Sequence, residues 1–171
     1  SLPDADAMRE ALAGCELVVV SEAMRHTDTT ACAQVLLPAL TWAEKDGTVT
    51  NSERRISRQR PFLSAPGEAR ADWRIICDVA IRMGYAGFDY ASAAEVFREH
   101  AELSGFENDG RRDFDISALA ALDDGAYDAL APVQWPVTSE HPAGTPRMFE
   151  SQAFFTPDRK RSEEHTSELQ S

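Results

Sequence analysis

The sequence has no two cysteines close enough to act together. Its three, Cys15, Cys32 and Cys77, lie far apart with no CxxC pair. That excludes a disulfide framework and a thiolate zinc site, and leaves reduced thiols of a cytosolic protein as the expectation. The four histidines (His26, His100, His141, His165) are equally scattered, so no metal constellation can be drawn from them. No stretch approaches the ~20 apolar residues of a membrane-spanning helix, and there is no internal repeat. Positive charge is short: 17 Lys and Arg stand against 29 Asp and Glu, a net charge of −12. Nucleic acid and anionic membrane both reward a basic surface, so neither is expected as a partner. No secretory leader is visible. The chain opens at Ser1 on a helix start, and its natural N-terminus is expected further upstream.

What is present suits a soluble globular protein. A chain of 171 residues with 43% hydrophobic and 27% charged content has enough apolar material for one domain, or one domain and part of another. Residues 4–13 predict a short helix, capped by Asp4 or Asp6, facing inward through Met8, Ala11 and Leu12, and closed by Gly14. The run Leu17-Val18-Val19-Val20 does not alternate, which predicts a parallel strand covered on both faces. A helical turn around residues 28–34 leads to a second apolar run, Val35–Leu37, which also reads as buried and stops at Pro38. Helix, strand, short helix and strand make an α/β doubly wound pattern. In such sheets ligands bind beyond the carboxyl ends of the strands. Two places qualify: Ser21-Glu22, and the polar stretch after Pro38.

That polar stretch is dense. It holds Trp42, the pair Glu44-Lys45, a predicted turn at Asp46-Gly47, the β-branched run Thr48-Val49-Thr50, Asn51, and then Arg54, Arg55, Arg58 and Arg60. A basic cluster in an acidic protein suits a phosphorylated ligand, although each arginine taken singly is equally suited to a salt bridge with a neighbouring acid. Lys45 reads either as a solvated turn lysine beside Glu44 or as an ammonium on a ligand phosphate. Ser21 and Glu22 read either as a helix-start turn or as acceptors for a ribose diol or a guanine edge. Asp72 reads first as the N-cap of the following helix, with one oxygen left for a ligand.

After a loop at residues 61–71, that helix shows Trp73, Ile76, Val79, Ala80 and Met83 at helical spacing, with Gly84 at its C-terminal cap. Another begins at Ser92, where Ser92 and Glu95 form a capping box and Val96, Phe97 and Leu103 supply the apolar face. Asp109–Asp115 reads as a charged loop, residues 116–122 and 126–130 as short helical pieces, and the chain from Pro132 as proline-rich and extended. The tail, residues 161–171, is polar and unpatterned. It resembles a translated sequencing-adapter artefact, so the natural sequence is expected to end near Asp158.

Two blocks carry a family resemblance. LLPALTWAEKDGTVTNSERR and APGEARADW resemble the corresponding blocks of the molybdopterin oxidoreductases, most closely the catalytic subunits of bacterial assimilatory nitrate reductases. FDYASAAEVFREHAELS, PVQWPV and FFTPD extend the likeness over about residues 1–158. It is a likeness to a segment: the family's four-cysteine iron-sulfur motif, its molybdenum-ligating cysteine and its C-terminal domain lie outside the matching stretch.

The resemblance implies an α/β fold, here a partial doubly wound (Rossmann-like) dinucleotide-binding domain with helical and extended connecting segments. The implied division is residues 1–84 for cofactor contact, 85–131 a helical extension, 132–158 an extended linker and 159–171 the non-native tail. It implies nitrate reduction to nitrite at a Mo-bis-molybdopterin guanine dinucleotide, with a 4Fe-4S cluster bound elsewhere in the protein. The electron donor would be ferredoxin, flavodoxin or a reductase subunit, and the location cytoplasmic. Ser21, Glu22, Lys45 and Asp72 match family positions that contact the cofactor; Asn51 and Arg54 lie in the same block. No catalytic residue or metal ligand is expected within this stretch. Position 22 is Glu where many relatives carry Asp, and position 34 is Gln where an acid is usual, read as a local change at the surface or a turn. A formate dehydrogenase catalytic subunit shares the architecture, and a stand-alone nucleotide-binding module without redox chemistry is the reading from another class.

Overall fold

The computed structural model describes residues 4–150, 154–156 and 158–160. The tail from residue 161 lies outside the described residues. The chain forms two compact units, each discontinuous in sequence. Unit 1 combines the chain up to Asp46 with Gln59–Ala91, and unit 2 combines Gly47–Arg58 with the chain from Ser92 onward. Contiguous boundaries at 84 and 131 do not follow this grouping, because the hairpin of residues 47–58 pairs through Arg55 and Ile56 with residues 133–134 and packs Ile56 against residues beyond 92.

Unit 1 begins with helix α1 (Ala5–Ala13), where the Asp4 carboxylate accepts from the Ala7 N–H at 3.1 Å and Gly14 ends the helix. Such a cap contributes about 1 kcal/mol. None of its residues is buried: of the predicted inward face, Met8 and Ala11 are exposed and Leu12 is only half-buried. Strands β1 (Val19–Glu22) and β2 (Val35–Pro38) pair in parallel, with Val19 opposite Val35 and Glu22 opposite Pro38. A 3-10 turn at Thr30–Cys32 lies on the crossover between them. Gln34 ties the two strand starts together: its side-chain oxygen accepts from the Val18 N–H at 2.7 Å, and its own N–H donates to the Val18 carbonyl.

The parallel pairing follows from the unalternated apolar runs. The expected burial does not: Val18 is buried, but Val19 is 49% exposed, and Val35 and Leu36 are exposed too. Two strands alone have too little surface to cover both faces of their own sheet. Helix α2 (Asp72–Arg82) behaves similarly. It buries Cys77 and Ala80, while Ile76, Val79 and Met83 of the predicted inward stripe stay exposed. Its N-cap is Ala71, not Asp72, which is the first residue inside the helix. Gly84, at φ +86°, follows the C-cap residue Met83 and donates back to the Ile81 carbonyl, as the sequence predicts.

Unit 2 holds a sheet of β3 (Gly47–Thr50), β4 (Arg55–Gln59) and β5 (Val133–Gln134), in that order. The chain reversal between β3 and β4 falls at Asn51–Arg54, not at Asp46-Gly47, since Gly47 already belongs to β3. The Asn51 side-chain oxygen accepts from the Glu53 and Arg55 N–H groups, both at 3.0 Å, closing the reversal without glycine. β5 lies in the stretch expected to be merely extended and runs antiparallel to β4. Helix α3 (Ala93–Gly105) starts at Ser92, whose hydroxyl accepts from the Glu95 N–H. It buries Ala94, Phe97 and Ala101, whereas Leu103, expected inward, is exposed. These join Ile56, Ile116, Leu119, Tyr127 and Val137 in one apolar core, completed by a 3-10 turn at Ser117–Leu119 and the short helix α4 (Asp124–Asp128). Two glycines are required by close approach. A Cβ on Gly105 would lie 2.5 Å from the Ser117 Cβ, and one on Gly144 2.5 Å from the Gln134 carbonyl oxygen. Among the described residues, no helix is long and apolar enough to cross a membrane.

Candidate functional site

The parallel register of unit 1 gathers several segments at one end. β1 ends on Glu22 beside Pro38, and the Ala39 N–H donates to the Glu22 carbonyl at 3.2 Å. Arg70 then aligns with Ala39, its N–H donating to the Pro38 carbonyl and its carbonyl accepting from Leu40, each at 3.0 Å. Two residues later α2 begins. The carboxyl ends of both strands and the N-terminus of α2 are therefore joined by one backbone ladder.

Lys45 reaches this edge from a 3-10 turn at Trp42–Glu44. Its Nζ donates to Asp72 Oδ2 at 2.5 Å, across 27 positions of sequence. The two side chains are 34% and 53% exposed, so the pair contributes on the order of 0–1 kcal/mol to stability. Neither group is consumed by a core. Glu44, the neighbour of Lys45 in sequence, is occupied elsewhere: its Oε2 accepts from the Thr41 N–H at 2.7 Å. Asp72, in the first turn of α2, is favoured by the positive end of the helix and carries no cap bond.

Ser21 and Glu22 occupy the last two positions of β1. Glu22 Oε1 accepts from the N–H groups of Ala23 (2.8 Å) and Met24 (3.3 Å), which orients the carboxylate beyond the strand. The structure joins Lys45 to Asp72 directly, and joins Ser21 and Glu22 to that pair only through the ladder at Ala39 and Arg70.

The arginine cluster comes apart. Arg54 donates to the carbonyls of Trp135, Thr145 and Pro146. Arg58, its side chain 4% exposed, donates to the Gly47 carbonyl, lies over the Tyr127 ring at 4.2 Å and meets Asp128 at 3.2 Å. Arg55 pairs with Gln134 and Glu53. These three guanidiniums fasten unit 2, whereas Lys45 belongs to unit 1. Their partners lie up to 92 positions away, beyond any local signal.

Clefts elsewhere carry different chemistry. One of about 390 Å³ between β2 and α2 is lined by Leu37, Ile75, Val79 and the paired Arg70 and Asp78, and none of the four candidate residues lines it. Another, about 950 Å³, lies in unit 2 beside Asp115. Burial opposes the charge on Asp115, but hydrogen bonds from the Ser117 side chain and backbone and from Asn108, with the charge of Arg112, hold its carboxyl below the ordinary 3.8. Among the described residues, no three His, Cys, Asp or Glu side chains are grouped to hold a metal ion.

Sequence reasoning missed the polar bracing of the Lys45 turn. The Gln59 side-chain amide donates to the Trp42 carbonyl at 2.5 Å, and the N–H groups of Phe62 and Leu63 both donate to the Ala43 carbonyl. One signal was available: Thr41-x-x-Glu44 is the spacing of a capping box. Gln59 has no comparable local signal.

Comparison with known proteins bears on the same residues. Residues 1–82 match the family model described as molybdopterin oxidoreductase. The chain is 56% identical over 144 residues to a nitrate reductase of Klebsiella oxytoca, covering 84% of this chain and 17% of that protein. It is 34% identical over 162 residues to the assimilatory nitrate reductase catalytic subunit of Bacillus subtilis, covering 94% of this chain and 21% of that one. It is also 35% identical over 159 residues to the F420-dependent formate dehydrogenase 2 subunit alpha of Methanococcus maripaludis, covering 91% and 21% respectively. The chain thus spans about a fifth of the length of these relatives.

Proposed function

We propose that this chain, a member of the molybdopterin oxidoreductase family, is a segment of a molybdenum-dependent nitrate reductase catalytic subunit. Its unit 1 would form part of a doubly wound, dinucleotide-binding α/β domain and supply one wall of a molybdopterin guanine dinucleotide site. The observation that carries this reading is the convergence of Lys45, Asp72 and the end of β1 at the carboxyl edge of a parallel strand pair, in a chain whose similarity to nitrate reductases runs nearly its full length.

The residues fit such a group. Lys45 offers an accessible ammonium to a phosphate. α2 starts without a side-chain cap, as a helix end facing an anionic ligand can. Asp72 uses Oδ2 on Lys45, so Oδ1 can accept from the ligand. Glu22 uses Oε1 on two backbone N–H groups, which fixes its direction and leaves Oε2 to accept from a ribose diol or guanine edge, with Ser21 adjacent. When bound, the molybdenum cofactor supplies the oxygen-atom transfer that reduces nitrate to nitrite. The residues of this chain bind and orient, and the reacting atoms lie elsewhere. A 4Fe-4S cluster in the complete protein and an electron donor (ferredoxin, flavodoxin or a reductase subunit) belong to the same reading, as does a cytoplasmic, assimilatory role.

The second reading is a formate dehydrogenase catalytic subunit, favoured by the extent of the Methanococcus alignment. Purified full-length protein, assayed in parallel with nitrate and with formate using artificial electron carriers, separates the two. Nitrate-dependent oxidation of a reduced viologen is expected. Formate oxidation without nitrate reduction overturns the assignment, and absence of bound molybdenum and pterin overturns both enzyme readings.

A further inference from the structure

The turn that presents Lys45 is held almost entirely by polar bonds. None of the residues Trp42–Glu44 is buried, and Trp42 itself is exposed, so apolar packing does not fix it. Instead, its carbonyls are taken in succession. The Thr41 carbonyl accepts from the Glu44 N–H at 3.1 Å, the Trp42 carbonyl from the Gln59 amide at 2.5 Å, and the Ala43 carbonyl from Phe62 and Leu63 at 2.9 and 3.1 Å. Glu44 closes the turn from the other side by accepting from the Thr41 N–H. All of these groups belong to unit 1.

An exposed turn of three residues gains little from such bracing for stability alone. A lysine directly after it gains a fixed departure point for a long, rotamer-rich side chain, and a preorganised charge binds an anion at lower entropic cost. We infer that Gln59 and Glu44 are positioning residues for Lys45: they lock the 42–44 turn so that the ammonium is delivered to the N-terminal end of α2 for the phosphorylated part of a nucleotide cofactor. This rests on the proposed ligand role of Lys45, and the test separates the two.

In full-length protein, cofactor retention is measured after gel filtration as molybdenum by elemental analysis and pterin by fluorescence after oxidation. Gln59→Met keeps the length of the side chain and removes its donor. Losing one hydrogen bond of this kind corresponds to about two- to tenfold weaker retention. In a Lys45→Ala background the same substitution should cause no further loss, because its effect passes through Lys45. Glu44→Ala should follow Gln59→Met, and Glu44→Gln should restore retention, since an amide oxygen still accepts from Thr41. The Glu44 pair carries the test by itself if Gln59→Met does not fold. Equal loss with and without Lys45, or unchanged retention in both Gln59→Met and Glu44→Ala, overturns the inference while leaving Lys45 as a ligand contact. Wild-type retention in Lys45→Ala alone removes the ligand role of Lys45, and the inference with it.

Discussion

The two units treat the same kinds of side chain in opposite ways. In unit 2, Ile56 is 2% exposed and clusters with seven other buried residues from several elements. In unit 1, Ile76 on α2 is 62% exposed, and among the described residues the buried ones do not form a comparable cluster. The cations divide along the same line. Arg58 is sealed against Tyr127 and a carbonyl, while Lys45 remains accessible on one carboxylate. Basic residues that stand together in sequence thus serve two purposes. One set is used up inside a core, and one group is left where a ligand can reach it. Accessibility, and not density of charge, marks the candidate site.

Substitutions that move the two cations independently break or sharpen this contrast. The largest effect is expected from Arg58→Ala, which removes the stacking on Tyr127, the bond to Gly47 and the pair with Asp128. A loss of about 2–4 kcal/mol in unfolding stability is expected, read by urea titration of the full-length protein, with normal cofactor content in the fraction that stays folded. Lys45→Ala should invert the pattern. Stability should change by less than about 1 kcal/mol, while retained cofactor falls about tenfold, the equivalent of one well-placed charge. If Lys45→Ala instead unfolds the protein like Arg58→Ala, the two cations are alike and the contrast is lost.

Asp72→Asn is expected to be milder, about threefold in retention, because the amide keeps an oxygen for Lys45 but loses the charge. Since Ala71 is the N-cap residue, Asp72→Asn should leave helix stability nearly unchanged. Equal cofactor content in Asp72→Asn and wild type would reduce Asp72 to a partner for Lys45.

Acid gives the smallest separation. The Asp115 carboxyl lies below 3.8 when folded, so the unfolded chain takes up the proton first as the pH falls. Its contribution is complete above that value and is lost as the pH drops through the folded one. Hydrogen exchange at about pH 3 should therefore show protection lost at the Asn108–Ser117 loop before the Lys45 turn, and Asp115→Asn should remove that pH dependence.

The parts of the fold legible in the sequence are those specified by neighbours. Asp4, Ser92 and Gly84 mark helix ends through bonds spanning three or four residues, and each does so in the structure. The unalternated runs at 17–20 and 35–37 gave a parallel pair. What could not be read depended on distant partners. The exposure of Val19 and Val35 depends on what covers the sheet, which a local apolar run does not encode. The reversal at Asn51–Arg54 carries no glycine, and it places Arg54 at φ +66°, a backbone cost of about 1–2 kcal/mol offset by three distant carbonyls. β5 is two residues long and defined only by its pairing with β4. For the candidate site, the sequence named Ser21, Glu22, Lys45 and Asp72. The structure adds the ion pair of the last two and the bracing of the turn by Gln59.

The discontinuity of the units also sets a timetable. Arg54 bonds a carbonyl 91 positions further along, at Thr145. On a ribosome adding roughly 5–20 residues per second, the 47–58 hairpin waits about 5–18 seconds for that partner, with its arginines and Ile56 uncovered. Unit 1 is interrupted for only twelve positions, from Gly47 to Arg58, before its second part emerges. The turn that presents Lys45 can therefore be assembled while the core that consumes Arg58 is still being synthesised.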